Sequence, residues 1–218
     1  MSTVVIVGGH GKVALRLAEA LTARGHTVRS TIRNEAHGAD IERTGAEPYL
    51  LDIEESDAHD LAEVFGDAHA VVFSAGAGGD GNAERKRTVD LEGSLKSIEG
   101  AKLAGVRRFV QVSAFGVDDP LPADTDPTWR AYVEAKRDAD VALRDSGLDW
   151  TIVRPGRLTD DPATGSVRVG PDIPSGAISR TDVAAVIAAA LDDDRSIGAQ
   201  FELTEGDQPV ADAIASLR

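Results

Sequence analysis

Short apolar runs rich in β-branched residues recur along the chain at Val4–Val7, Val28–Ile32, Tyr49–Leu51, Ala70–Phe73, Phe109–Val112 and Trp150–Val153. Between them the apolar positions change period. Val13, Leu17 and Leu21 fall four apart, while Leu61, Val64 and Phe65 follow the i, i+3, i+4 rule, as do Leu91, Leu95 and Ile98. That spacing puts one apolar stripe on a helix. Thr181–Leu191 reads as an Ala-rich helix, and Phe201–Thr204 as a last short strand. Strands alternating with helices predict an α/β fold with a doubly wound parallel sheet. The runs are almost continuously hydrophobic, which predicts strands buried on both faces. No internal repeat or low-complexity linker divides the chain, so a single domain over 1–218 is expected. Residues 155–180 and 201–218 are left to form a small cover over a substrate.

The first strand runs into glycines and then into the helix expected over Lys12–Arg24. Two spacings fit the same letters. Gly9-His10-Gly11-Lys12-Val13-Ala14 matches G-x-G-x-x-A, and Gly8, Gly11 and Ala14 fit a related pattern. In either register glycine permits a tight turn and close backbone approach to a pyrophosphate. The helix N-terminus then offers free N–H groups to the anion. The turn therefore predicts a dinucleotide seat built from Gly8, Gly9, Gly11, Lys12 and Val13. His10 either meets a phosphate or only fills a loop position.

The end of the second strand is where cofactors are told apart. A carboxylate about 20 residues past the glycines suits the ribose 2′-OH of NAD, and a basic group suits the 2′-phosphate of NADP. The strand ends in Thr31-Ile32-Arg33-Asn34, which points to NADP rather than NAD, with Arg33 and Asn34 near the phosphate. Asp40 lies too far into the next segment to act as the NAD carboxylate. Asp52, ending the third run, either accepts from the adenine amino group or caps the next helix. Two loops stand out: Ser74–Arg87, Gly-rich and then basic, and Gly116–Pro127, rich in Asp and Pro. In the first, Arg85, Lys86 and Arg87 are a basic cluster, read as a solvated helix face rather than an anion site.

Composition removes several function classes. The 218 residues include no cysteine, which excludes disulfide scaffolds, thiol nucleophiles and Cys-ligated metals. The five histidines show no ligand spacing, so no metal site is expected. No G-x-S-x-G elbow is present. A formal net charge of -14 argues against nucleic acid and anionic membranes as partners. The acidity suits a salt-adapted source or, equally, ordinary solubility. No apolar run approaches the roughly 18 residues of a membrane span, and no leader-like pattern opens the chain. A cytoplasmic location is expected, with a small-molecule substrate and a monomeric or homodimeric state.

"VGGHGKVA", "TIRNEA", "LLD", "VVFSAGAG", "RFVQVSAFG", Tyr132-x-x-x-Lys136 and "TIVRPGRLTDDPATG" follow one another in order from Val4 to about Leu203. In that order the chain resembles the atypical short-chain dehydrogenase/reductase superfamily. More narrowly, it is similar to the compact NAD(P)-binding group called NmrA-like or epimerase/dehydratase-like. The resemblance implies a Rossmann-like sheet and makes Tyr132 and Lys136 the catalytic pair. Residues four apart share one helix face, so both side chains can enter one cleft. A tyrosine pKa near about 10 needs a nearby cation before the phenolate is accessible at neutral pH. Lys136 would provide it while holding the nicotinamide ribose.

The resemblance also implies a hydroxyl residue after the fifth strand. Ser113 is available, but Ala114 follows where the superfamily often has a further hydroxyl, so Ser113 either orients the substrate or only lines the cofactor cleft. Ser74, Ala75 and Gly76 are implied beside the adenosine ribose and pyrophosphate, and Val112, Pro155 and Gly156 beside the nicotinamide. Arg154 is expected to anchor that last segment. The expected activity is NADP-dependent hydride transfer to or from a small carbonyl or alcohol, or a related epimerisation. The alternative is an NADP-binding regulator without turnover, as in NmrA-like proteins.

Overall fold

A computed structural model describes residues 2–79 and 82–217. The first half alternates strand and helix: β1 (Thr3–Val7), α1 (Lys12–Ala23), β2 (Thr27–Ile32), α2 (Gly38–Arg43), β3 (Glu47–Leu50), α3 (Ala58–Phe65) and β4 (Ala70–Phe73). A helical segment then passes from α4 (Ala83–Arg85) through a π-helical stretch, Lys86–Glu92, into α5 (Gly93–Ala104). There follow β5 (Arg108–Val112), α6 (Pro127–Arg144), β6 (Asp149–Pro155), β7 (Arg157–Thr159), β8 (Ser166–Gly170) and β9 (Ala177–Ser179). The chain ends with α7 (Arg180–Leu191), β10 (Ala199–Glu205), β11 (Gln208–Pro209) and α8 (Val210–Ala215).

Among the described residues the main sheet has nine strands in the order β11-β8-β10-β6-β5-β4-β1-β2-β3. From β3 across to β10 the neighbours are parallel, and β8 adds antiparallel to β10. The fold is Rossmann-like, as the alternating pattern predicts. Side chains alternate across each strand. Val4 and Ile6 of β1 join a core with Leu17 of α1 and Val183 of α7. Val5 and Val7 join the opposite core with Leu61 and Phe65 of α3 and Leu143 of α6. Each strand residue thus has an apolar partner layer, which is why the runs lack polar alternation.

The strand order reverses between β1 and β4, the switch point at which open α/β sheets bind ligands. Val7 pairs with Phe73 there, so the glycine turn after β1 and Ser74–Gly76 after β4 start side by side. The region expected to cover a substrate divides. Pro155, Gly156, Arg157, Leu158 and Arg180 line a cleft, whereas Ser166–Gly170 and Ala199–Glu205 are strands of the main sheet. The Gly-rich loop Ser74–Arg87 includes positions 80 and 81, which lie outside the described residues.

Candidate dinucleotide and substrate site

The glycine turn is wedged between two neighbouring strand ends. Gly8 has φ +81°, and a Cβ there would lie 2.6 Å from Ala75 Cα. A Cβ on Gly9 would lie 2.5 Å from that of Ser30. The Gly9 N–H donates to Thr31 O at 2.8 Å, and the Gly8 N–H to Thr31 Oγ1 at 3.1 Å. Gly11 then begins α1 without a capping side chain. A flush turn delivering an uncapped helix N-terminus fits a pyrophosphate. Gly9 itself is buried against Ser30 of β2, which leaves no room for a side chain there.

Two clefts meet at this turn, sharing Gly11 and Ser74–Gly76. The larger, about 1150 Å³, runs toward β5, β6 and α6 and includes Lys12, Val13, Val112, Pro155 and Gly156. The smaller, about 340 Å³, runs toward β2 and β3 and includes Gly8, His10, Arg33 and Asp52. This division matches the two halves of a dinucleotide lying across the switch point.

On the smaller side the side chains depart from expectation in several places. Asn34 is not among the lining residues; its Oδ1 accepts from Ala36 N at 3.0 Å and caps a short turn. Asp52 does not cap α3. It accepts from Glu54 N at 3.0 Å, while Asp57 caps α3 through His59 N and Asp60 N. His10 Nε2 lies 2.7 Å from Asp40 Oδ2, and its ring stacks on His37 with centroids 3.6 Å apart. His10 beside Asp40 holds that carboxyl below the usual range. Asp40, too distant in sequence to serve as the ribose carboxylate, thus braces the glycine turn.

Arg33 lies in the smaller cleft with its side chain 56% exposed, 3.7 Å from Glu54. Glu54 is held more firmly by others: Thr88 Oγ1 donates to it at 2.6 Å and Arg85 at 3.1 and 3.2 Å. Thr88 and Arg85 keep its pKa below the ordinary value. Of the basic cluster, only Arg87 fits the expected solvated face, pairing with Glu92 at the surface. Arg85 turns to Glu54, and Lys86 is buried on the wall of the larger cleft. Three consecutive basic residues carry no sign of which one turns inward, and here the π-helical stretch aims Lys86 at the cleft.

The catalytic candidates lie on α6, where Asp126 caps the helix by accepting from Trp129 N at 2.9 Å. Tyr132, Lys136 and Asp140 form one stripe at successive intervals of four. Tyr132 lines the larger cleft, with its ring 5.3 Å from that of Trp129. Lys136 Nζ is 6.0 Å from the Tyr132 ring centroid, 3.2 Å from Asp90 Oδ1 and 3.1 Å from Val112 O. Burial pulls the Lys136 pKa down, but Asp90 and Tyr132 more than offset it, so the net shift is upward. Tyr132 departs from the expected direction. Burial raises its phenol pKa and outweighs the opposing pull of Lys136, whose charge is also answered by Asp90.

Ser113 is brought to the same cleft, but its Oγ donates to buried Asp140 Oδ2 at 2.8 Å. Its proton is therefore directed to the protein interior, while the residue lines the cleft as one of its two expected roles requires. Asp140 also accepts from Gln111 Nε2 at 2.7 Å and Arg154 Nε at 2.9 Å. Arg154 reaches Asp118 at 2.7 Å, which makes it the expected anchor beneath Pro155 and Gly156. Asp90 and Asp140 escaped sequence reading, although Asp140 continues the Tyr132–Lys136 stripe. No cluster of metal-ligating side chains occurs among the described residues. No described helix is long and apolar enough to cross a membrane.

A Rossmann-like sheet with this turn at its switch point defines a dinucleotide-binding protein. The chain belongs to the NAD(P)H-binding family, whose model matches residues 8–194. It is 37% identical to an uncharacterized sugar epimerase of Bacillus subtilis, YhfK, over 98% of this chain and 99% of that one. A structure from Bacillus halodurans, provisionally named an NAD-dependent epimerase/dehydratase, is 38% identical over the whole of both chains, with a TM-score of 0.92. The oxidoreductase ylbE of Lactococcus lactis is 25% identical, covering 99% of this chain and 96% of that one, with a TM-score of 0.87. These neighbours place the fold among epimerase/dehydratase-like atypical short-chain dehydrogenases/reductases.

Proposed function

We propose that the chain is an NADP-dependent reductase of small carbonyl compounds. The observation that carries this reading is the Tyr132–Lys136 pair on the wall of the larger cleft, backed by Asp90. Gly8–Gly11 and the start of α1 would seat the pyrophosphate, and Lys136 would hold the nicotinamide ribose. When bound, the nicotinamide supplies a hydride to the carbonyl carbon. Tyr132 gives its phenolic proton to the carbonyl oxygen, and hydride plus proton complete the alcohol. The phenol, held above the ordinary tyrosine pKa by burial, carries that proton at neutral pH. Lys136 then stabilises the phenolate that remains.

Arg33, only loosely held by Glu54, supports NADP over NAD, and Arg85 lines the same cleft. The acidic surface supports a small molecule as partner rather than nucleic acid or a membrane. A regulatory, non-catalytic reading draws support from one observation, the commitment of the Ser113 hydroxyl to Asp140. The test is NADPH oxidation with aldehydes, quinones and flavins as acceptors. Tyr132→Phe is expected to lower the rate about 10²–10⁴-fold; an unchanged rate would remove Tyr132 as proton donor. Stoichiometric NADPH consumption also separates reduction from epimerisation, which consumes none.

A further inference from the structure

The lining of the larger cleft runs against the charge of the molecule. The chain carries a formal charge of -14, yet the lysines and arginines on this lining outnumber its two carboxylates, Asp90 and Asp126. Most of that charge is already answered. Lys136 pairs with Asp90, Lys12 and Arg180 pair with Asp160, and Asp126 caps α6. Two cationic side chains remain, Lys86 and Arg157. Arg157 is exposed on β7, and its side chain has no carboxylate within ion-pair distance among the described residues.

Lys86 is the more telling of the two. It is only 7% exposed, and among the described residues its Nζ has one hydrogen-bond partner, the Gly78 carbonyl. No described carboxylate forms an ion pair with it. A buried cation without a counter-charge is costly, and a ligand anion would offset that cost. Its Nζ also lies over the Tyr132 ring, 5.4 Å from the centroid, so an anion held there would sit beside the phenol. Lys136, for its part, pulls the phenol pKa down against the effect of burial. Lys86 therefore stands beside Tyr132 in the cleft with donors to spare, and Trp129, 52% exposed, packs beside the same tyrosine and lines the same cleft.

We propose that Lys86 receives a carboxylate of the substrate, with Arg157 as a second contact, so that the preferred substrate is a carbonyl compound bearing an acid group on an apolar, planar body that rests on Trp129. The inference rests on the reductase reading for the identity of the reacting group, but the anion site itself can be tested without turnover.

The probes are 4-carboxybenzyl alcohol and benzyl alcohol, titrated calorimetrically into the chain saturated with whichever of NADP⁺ or NAD⁺ raises its melting temperature more. Wild type is expected to bind the carboxylate at least tenfold more tightly, and that preference to fall at least fivefold in Lys86→Met. Lys86→Gln keeps a donor for the Gly78 carbonyl and guards against a folding defect in the first variant; the same loss is expected there. A wild-type preference under twofold, or one that survives both substitutions in folded protein, would overturn the proposal. In parallel, 4-carboxybenzaldehyde and benzaldehyde are compared as NADPH oxidants. Binding preference without turnover of either aldehyde would count against the reductase reading and leave the anion site standing.

Discussion

Asp90 Oδ1 lies 3.2 Å from Lys136 Nζ, and both side chains are almost wholly withdrawn from solvent. The two come from different parts of the chain, the π-helical stretch and α6, so their pairing ties those segments together at the wall of the larger cleft. Asp90 also accepts from Ala77 N at 3.0 Å, which fixes the loop after β4. Asp90→Asn keeps an acceptor for that amide but leaves the Lys136 cation buried and unanswered. Breaking such a pair typically costs about 3–5 kcal/mol. Urea unfolding at pH 7 should show a loss of that order. A loss under about 1 kcal/mol, no more than an average substitution costs, would mean that Lys136 does not depend on Asp90.

The cofactor preference is expected to follow Arg33. Arg33→Ala removes the more exposed of the two arginines lining the smaller cleft and should weaken NADPH at least tenfold, about 1.4 kcal/mol, while leaving NADH little changed. Glu54→Gln is expected to act oppositely, raising the ratio of NADPH to NADH affinity by removing the neighbouring carboxylate. Fluorescence titration of both nucleotides reads this directly. Equal binding of NADPH and NADH by wild type would refute the argument from Arg33.

Beneath the nicotinamide side, Arg154 holds Asp140 from one direction while Ser113 and Gln111 donate from others. Burial nonetheless pushes the Asp140 carboxyl upward. Arg154→Met would strand that carboxylate on two neutral donors, at a cost of about 3–5 kcal/mol near neutral pH. Because protonating Asp140 removes the stranded charge, the loss should be smaller at pH 5 than at pH 8. Chemical unfolding at the two pH values checks it, and a deficit independent of pH would mean that Arg154 acts only through packing.

The strands under the site were legible because the central ones are buried on both faces and so appear as unbroken apolar runs. β8 was not. Its residues alternate apolar and polar, with Val167 buried and Arg168 exposed, as befits a strand near the sheet edge. The glycine turn and the Tyr132–Lys136 spacing were also readable, since each depends on neighbours in sequence. What eluded reading was partner choice across long separations. Asp40 braces His10 from thirty residues away, Ser113 answers to Asp140, and Lys86 turns inward where its basic neighbours suggest a solvated face. Asp140 was half visible: it lies one helical interval beyond Lys136, and an acidic residue that continues the Tyr132–Lys136 stripe is a signal worth following.

Glu202, on β10, supplies the pH dependence most open to measurement. Its carboxylate accepts from Gly116 N at 3.3 Å and lies 3.7 Å from Arg154, but burial dominates and pushes its pKa from the ordinary 4.5 to about 7. The folded chain therefore holds this proton more tightly than the unfolded chain between those values. Stability from this group is greatest at acid pH and declines as pH rises through the window from 4.5 to about 7. A tenfold difference in proton affinity is worth about 1.4 kcal/mol, so the full effect is no more than roughly 3.5 kcal/mol. Glu202→Gln keeps an acceptor for Gly116 N and cannot ionise. Relative to wild type, the variant should gain stability steadily as pH rises from 5 to 8, whatever its offset at pH 5. Parallel unfolding curves with a pH-independent difference would show that Glu202 ionises in the folded chain as readily as in the unfolded one.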